Sequence, residues 1–172
     1  MLFVDVTNNK VGIGTSSPSR LLHVQATGTG NVATFQSNAG PNLAFVGTET
    51  SGRTYLIGEG LVTAGNFSVY DSTASAERLV VDSSGNLGLG VTPSAWGGVL
   101  GAGVLQIAGG STVPSLSFTT YNSSTVASGY IASNAYYNGS NWIYHKSNYS
   151  AQYEINNNAG KHIWYTAPSG TA

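Results

Sequence analysis

The sequence predicts an all-β chain of two related halves with little or no helix, on three observations. First, residues 4–19 return as residues 81–94. In both copies an apolar, glycine, apolar, glycine run follows a polar turn and leads into a Pro-Ser step: Val11, Gly12, Ile13 and Gly14 before Pro18 and Ser19, then Leu87, Gly88, Leu89 and Gly90 before Pro93 and Ser94. Second, apolar residues elsewhere come in short alternating runs, the period of a half-buried strand, and helical spacing is missing. Third, 23 glycines and many Asn and Ser residues separate those runs at the intervals turns require.

Taken in order, residues 2–6 alternate around Phe3, turn at Thr7, Asn8 and Asn9, and enter the first glycine-alternating strand. Val11 and Ile13 share one face of that strand, leaving the other bare at Gly12 and Gly14. A bare face lets another backbone come close. The G-x-G pair is not a dinucleotide fingerprint, because the third glycine is replaced by Ser17 in one copy and Pro93 in the other. Pro18 demands an extended or turn conformation before it, and Leu21 to Val24 reads as a further strand.

A β body follows over residues 32–81, and its features come back in the second half. Pro41, Leu43 and Phe45 answer to Pro114, Leu116 and Phe118; Tyr55, Leu56 and Ile57 to Tyr130, Ile131 and Ala132. The run from Phe67 to Tyr70 answers to Trp142 to Tyr144, Leu79 to Val81 answers to Tyr153 to Ile155, and Gly85 to Gly160. The first repeat therefore spans 1–94, with blocks at 4–19 and 81–94 around the body, and the second body spans 95–172, with a further block expected beyond Ala172. Asn138 and Gly139, flanked by Tyr136, Tyr137 and Trp142, are the strongest hairpin signal and fit a type I′ turn. Gly97 to Ile107, with glycines at 97, 98, 101 and 103, is not expected to be helical.

Composition narrows the function. Charged residues are 8% of the chain and the net charge is −1, against about a quarter charged in an ordinary domain. Six basic residues cannot supply the phosphate neutralisation that nucleic-acid binding needs, and no apolar run is long enough to insert in a membrane. The N-terminus lacks the basic region of a signal peptide. With no cysteine and three scattered histidines, His23, His145 and His162, neither disulfides nor a metal or other cofactor are expected to support the thin core. Association between chains remains.

The strings KVGIGTSSPSRLLHV and NLGLGVTPS resemble the repeat of the distal parts of bacteriophage tail fibres, often found upstream of a self-cleaving C-terminal chaperone. The resemblance implies a β-rich, elongated, parallel homotrimer, assembled in the host cytoplasm, carried in the virion and recognising the host surface; the chain then reads as a piece of a longer fibre. The second block departs where Leu21, Leu22, His23 and Val24 give way to Ala95, Trp96, Gly97 and Gly98, so a different transition is expected there. On this reading Gly12, Ile13, Gly14, Gly88, Leu89 and Gly90 are candidates for packing at the trimer axis.

Eight of ten tyrosines and two of three tryptophans lie between Tyr121 and Tyr165. Rings with a polar tip suit sugars and interfaces alike. Trp142 and Tyr144, in strict alternation, are expected in the shared core of the trimer. Tyr136, Tyr137 and Tyr149, with Asn134, Asn138, Asn141 and Asn148 beside them, are expected to contact host surface polysaccharide; the block of glycan-binding candidates is Tyr136, Tyr137, Asn138, Asn141 and Tyr149. Catalysis is not expected. A glycosidase needs two flanking carboxylates, and the second body holds only Glu154, while Glu49 and Glu59 sit around a hairpin. The alternatives are a tailspike-like module that degrades glycan and a repeat segment of a bacterial surface adhesin.

Overall fold

In the structure, a computed structural model, residues 1–28, 32–96, 103–108, 115–122 and 127–170 are described. Every regular element among them is a strand, and they fall into two units, Met1–Ser37 and Asn38–Ala172. The sequence-based boundary after residue 94 thus falls inside the second unit. Pro114 and residues 97–102 lie outside the described residues.

The first unit is a three-stranded sheet: β1 (Leu2–Asp5) and β2 (Lys10–Ile13) form an antiparallel hairpin, and β3 (Leu22–Val24) lies parallel to β2. The turn between β1 and β2 is held by Asp5, whose Oδ1 accepts from the Thr7 and Asn8 amides while Oδ2 accepts from Asn8 Nδ2 at 2.9 Å. These bonds, the Asn8 side chain first, lower the Asp5 pKa.

The second unit carries β4 (Asn42–Val46), β5 (Thr54–Glu59), β6 (Phe67–Asp71), β7 (Ala76–Val81), β8 (Leu87–Leu89), β9 (Leu105–Ile107), β10 (Leu116–Asn122), β11 (Ala127–Ser133), β12 (Ala135–Tyr137), β13 (Trp142–Tyr144), β14 (Ser150–Asn156) and β15 (Lys161–Ala167). Ten of them make one sheet in the order β15-β14-β11-β10-β9-β8-β7-β6-β5-β4, and β12 and β13 form a separate hairpin. Two antiparallel meanders, β4 to β7 and β10, β11, β14 and β15, therefore flank the second glycine block, which is built like the first. Strands β7 and β8 pair antiparallel, β8 and β9 parallel, and Phe3, Gly12 and His23 of one block answer to Val80, Gly88 and Gln106 of the other. Asp82 repeats the role of Asp5, accepting from Ser84 N, Asn86 N and Asn86 Nδ2.

The transition after the second block, expected to differ from the first, does so by a longer connection to the same parallel strand. Residues 14–21 join β2 to β3, whereas 90–104 join β8 to β9, and Leu105, Gln106 and Ile107 take the places of Leu22, His23 and Val24. Even the local polar contact is kept: the Ser19 amide donates to His23 Nδ1 at 3.3 Å and the Ser94 amide to Gln106 Oε1 at 2.9 Å.

The bare glycine faces receive the chain's own backbone. A Cβ at Gly12 would overlap the Thr15 carbonyl oxygen, and one at Gly88 would overlap that of Val91. Gly14 and Gly90 then turn the chain away with φ of 81° and 66°, values a side chain disfavours. The close approach expected at Gly12 and Gly88 is thus internal, made by the loop that follows each strand.

Sheet register sorts the side chains into two unlike faces. One ladder runs Gly58, Ser68, Val80, Gly88, Gln106, Ser117 and Ala132 across seven strands, and all seven are buried. The opposite face carries two apolar ladders: Leu43, Ile57, Val69, Leu79, Leu89, Ile107 and Leu116, and then Phe67, Val81, Leu87, Leu105, Phe118, Ile131, Tyr153 and Trp164. None of these fifteen is buried, and Phe67 is 47% and Trp164 77% exposed. The covered face is lined by small and polar groups; the large apolar side chains are left outside.

Three sequence correspondences are corrected by the register. Trp142 to Tyr144 belongs to the inserted hairpin, and the strand that answers to β6 is β14. Gly160 (φ 61°) stands where Ser75 (φ 51°) stands, in turns that Asn156 and Asp71 cap alike by accepting the Ala159 and Ala74 amides at 3.0 Å. Tyr55 shares the open face with Phe45, whereas Tyr130 faces the covered side; one residue of offset reverses every side chain in a strand. The 138–141 turn differs as well. Only Gly139 has positive φ, and Asn138 instead caps a four-residue loop by accepting the Ser140 and Asn141 amides at Oδ1.

Candidate functional site: a carboxylate cavity under the inserted hairpin

The hairpin β12–β13 is an insertion between β11 and β14, and its placement over the sheet follows from Asn134. This residue is fully buried with φ 59°, its Nδ2 donates to the carbonyls of Lys146, Asn148 and Tyr149, and its Oδ1 accepts the Lys146 amide. Expected as a sugar contact, Asn134 is spent on clamping both ends of the insertion. On the other flank Tyr136 packs edge-on against Trp96 at 5.9 Å between centroids and lies 5.1 Å from the His145 ring. His145 Nδ1 is 3.2 Å from Ser94 Oγ, and Trp96 Nε1 donates to Gln106 Oε1. Burial lowers the His145 pKa and favours its neutral form.

Between the hairpin and strands β11, β14 and β15 lies a cavity of about 400 Å³. Its walls include Trp142, Ile143 and Tyr144 from the hairpin, Tyr130 from β11, Gln152 and Glu154 from β14, and Tyr165 from β15. Trp142 and Tyr130 meet edge to face at 5.5 Å, Trp142 keeps 37% of its surface exposed at the rim, and Tyr144 is pinned by donating its hydroxyl to the Pro168 carbonyl at 2.8 Å.

Glu154 is the buried polar centre, 6% exposed. Its Oε1 accepts from Ser128 Oγ (2.9 Å), Tyr130 OH (3.2 Å) and Asn156 Nδ2 (3.0 Å), and its Oε2 from Tyr165 OH (2.7 Å). Burial by itself raises the Glu154 pKa, but the bonds from Tyr165, Ser128, Tyr130 and Asn156 together outweigh it and leave the pKa lowered. The reciprocal effect is seen on Tyr165, whose pKa the Glu154 bond raises, and on Tyr130, raised first by burial. The group is an ionised carboxylate in an aromatic-walled cavity.

Of the residues selected from sequence, the cavity gathers Trp142 and Tyr144, the two assigned to a core. Tyr137 packs on the Trp142 ring at 5.6 Å, Asn138 and Asn141 sit exposed at the hairpin tip, and Tyr149 is exposed on the connection to β14. Tyr130, Gln152, Glu154 and Tyr165 were not selected. Their signal was the solitary acid of the second body flanked at neighbouring strands by tyrosines, which only pairing could bring together. Glu49 and Glu59 do not converge: Glu59 is the last residue of β5 and Glu49 lies in the connection before its first, Thr54, and the strand alone spans roughly 17 Å, against about 5–9.5 Å for a glycosidase pair. Among the described residues no three His, Asp or Glu side chains cluster as metal ligands.

No family model, no curated protein and no solved structure compared with the chain matches it.

Proposed function

We propose that the chain is a structural and receptor-binding segment of a bacteriophage tail fibre, assembled as a parallel homotrimer in the host cytoplasm and carried in the virion. The observation that carries this reading is the uncovered apolar face, which crosses all ten strands of the large sheet without a residue of its two central ladders being buried. Monomers rarely expose contiguous apolar patches of more than a few hundred Å². The same arrangement recurs in the first unit, where Leu2, Ile13 and Leu22 are all exposed on neighbouring strands. Three chains packing these faces together bury Ile13, Leu89 and their neighbours. Gly12, Gly14, Gly88 and Gly90 serve the assembly indirectly, by seating the following loop on the covered side and keeping the apolar side free.

Host contact belongs to the inserted hairpin and its connection, where Asn138, Asn141 and Tyr149 are exposed and Tyr136 and Tyr137 are half-buried beside them. The work of the segment is binding and not catalysis. Light scattering at micromolar concentration is expected to give the mass of three chains, and a glycan array is expected to show retention of neutral polysaccharide without cleavage. A mass of one chain at every concentration overturns the fibre reading, and release of shortened glycan overturns the non-enzymatic one.

A further inference from the structure

The cavity under the hairpin contains a carboxylate that forms no ion pair with any described residue. All four groups bonded to Glu154 are neutral, and the two ion pairs among the described residues both belong to Asp71. Lys161, on the same strand face, pairs in register with Asn156 and forms no ion pair with Glu154. Neutral donors hold the carboxylate ionised, and a buried anion with no paired counterion is a point of attraction for a cation entering the cavity.

The aromatic walls narrow which cation. A carboxylate offers about two lone-pair sites on each oxygen; Glu154 Oε1 accepts three bonds from neutral donors and Oε2 accepts one. Oε1 is crowded by neutral donors, and the negative charge persists. A quaternary ammonium needs only charge and polarizable walls. Four lining side chains are aromatic: Tyr130, Trp142, Tyr144 and Tyr165. Aromatic rings around a cation supply the attraction on which such recognition rests, and the volume of about 400 Å³ lies at the small end of ligand cavities.

We propose that this cavity binds an organic cation of the quaternary ammonium class, a trimethylammonium group such as a choline headgroup, between the four aromatic side chains and the Glu154 carboxylate. The inference does not rest on the fibre reading, because every wall comes from one chain. It also separates this site from the neutral-polysaccharide contact assigned to the hairpin tip.

The test is titration of the full chain with choline, with 3,3-dimethylbutan-1-ol, which has the same shape without the charge, and with glucosamine as a primary ammonium, followed by NMR shifts of the Trp142 indole. Choline is expected to bind saturably, with the neutral isostere and glucosamine each roughly tenfold or more weaker. Glu154→Gln should abolish the preference for choline over the isostere. Trp142→Leu should weaken choline with the far-ultraviolet circular dichroism unchanged. Should Glu154→Gln fail to fold, the wild-type contrast between choline and its isostere decides alone. Equal binding of those two, absence of saturable choline binding up to tens of millimolar, or preference for glucosamine overturns the proposal.

Discussion

At the scale of single residues, the two buried carboxylates of the large sheet solve the same problem differently. Glu154 is held by neutral donors, whereas Asp71, fully buried, is gripped by Arg53 Nη1 and Arg78 Nη2, each at 2.7 Å from Oδ2. Arg78 reaches it because β7 bulges there, the register slipping between Val69 and Tyr70 so that one residue is left without a partner. The Arg78 bond is the main reason the Asp71 pKa falls below its ordinary value of 3.8. A carboxyl whose pKa is lower folded than unfolded contributes stability that is present above the unfolded value and is lost as pH falls through the folded one. Calorimetry is therefore expected to show the melting temperature dropping once pH goes below about 4. Asp71→Asn should melt lower than the wild type at neutral pH and lose less on acidification, with a residual acid effect from Asp5 and Glu154, whose pKa values are also lowered. The half-exposed arginines are screened by solvent, so the effect is modest. An unchanged acid slope in Asp71→Asn would remove the pair from the account.

At the scale of elements, the glycine block is a unit of strand, return loop and parallel strand. Its glycines are required because backbone, not a flexible side chain, occupies the space a Cβ would take at Gly88. Gly88→Val is expected to cost about 1–3 kcal/mol by overpacking. Because the clash is inside the chain, the fall in melting temperature should be the same at low and high protein concentration; a loss seen only where chains associate would return Gly88 to an interface between copies. The extra length of the second return loop also has a structural counterpart. Ser94, placed over Gln106 as Ser19 is over His23, and Trp96 meet His145 and Tyr136 and seat the hairpin that roofs the cavity. The first block, with its shorter loop, carries no such insertion after it.

For the whole molecule, the distribution of apolar surface decides more than the strand count. An ordinary antiparallel sheet covers its large apolar face and wets the other, and here the single chain does the reverse. Phe118 lies on the longer of the two open ladders, between Leu105 and Ile131. If the proposed trimer packs on this face, Phe118→Lys is expected to leave the circular dichroism of one chain unchanged while lowering the mass in solution towards one chain, since a charge in an apolar contact is strongly disfavoured. Retention of the full assembly by this variant would show that the open face is not where copies meet.

The sequence by itself determined that the chain is β throughout its described residues, where most turns fall and that a glycine block occurs twice, because alternation and turn chemistry are local properties. Leu43 with Phe45, and Leu116 with Phe118, could be read as strands with no knowledge of their partners. Alternation defines two faces but does not say which is covered. That choice depends on where the return loops lie, and it was the tertiary structure that put Thr15 and Val91 against the glycines and left the leucines outside. Register is equally invisible locally: Tyr55 and Tyr130 look equivalent in sequence and point to opposite faces. The cavity shows the limit most plainly, since Tyr130 and Tyr165 reach Glu154 across 24 and 11 residues of chain. Three strands had to pair before a solitary glutamate became a site.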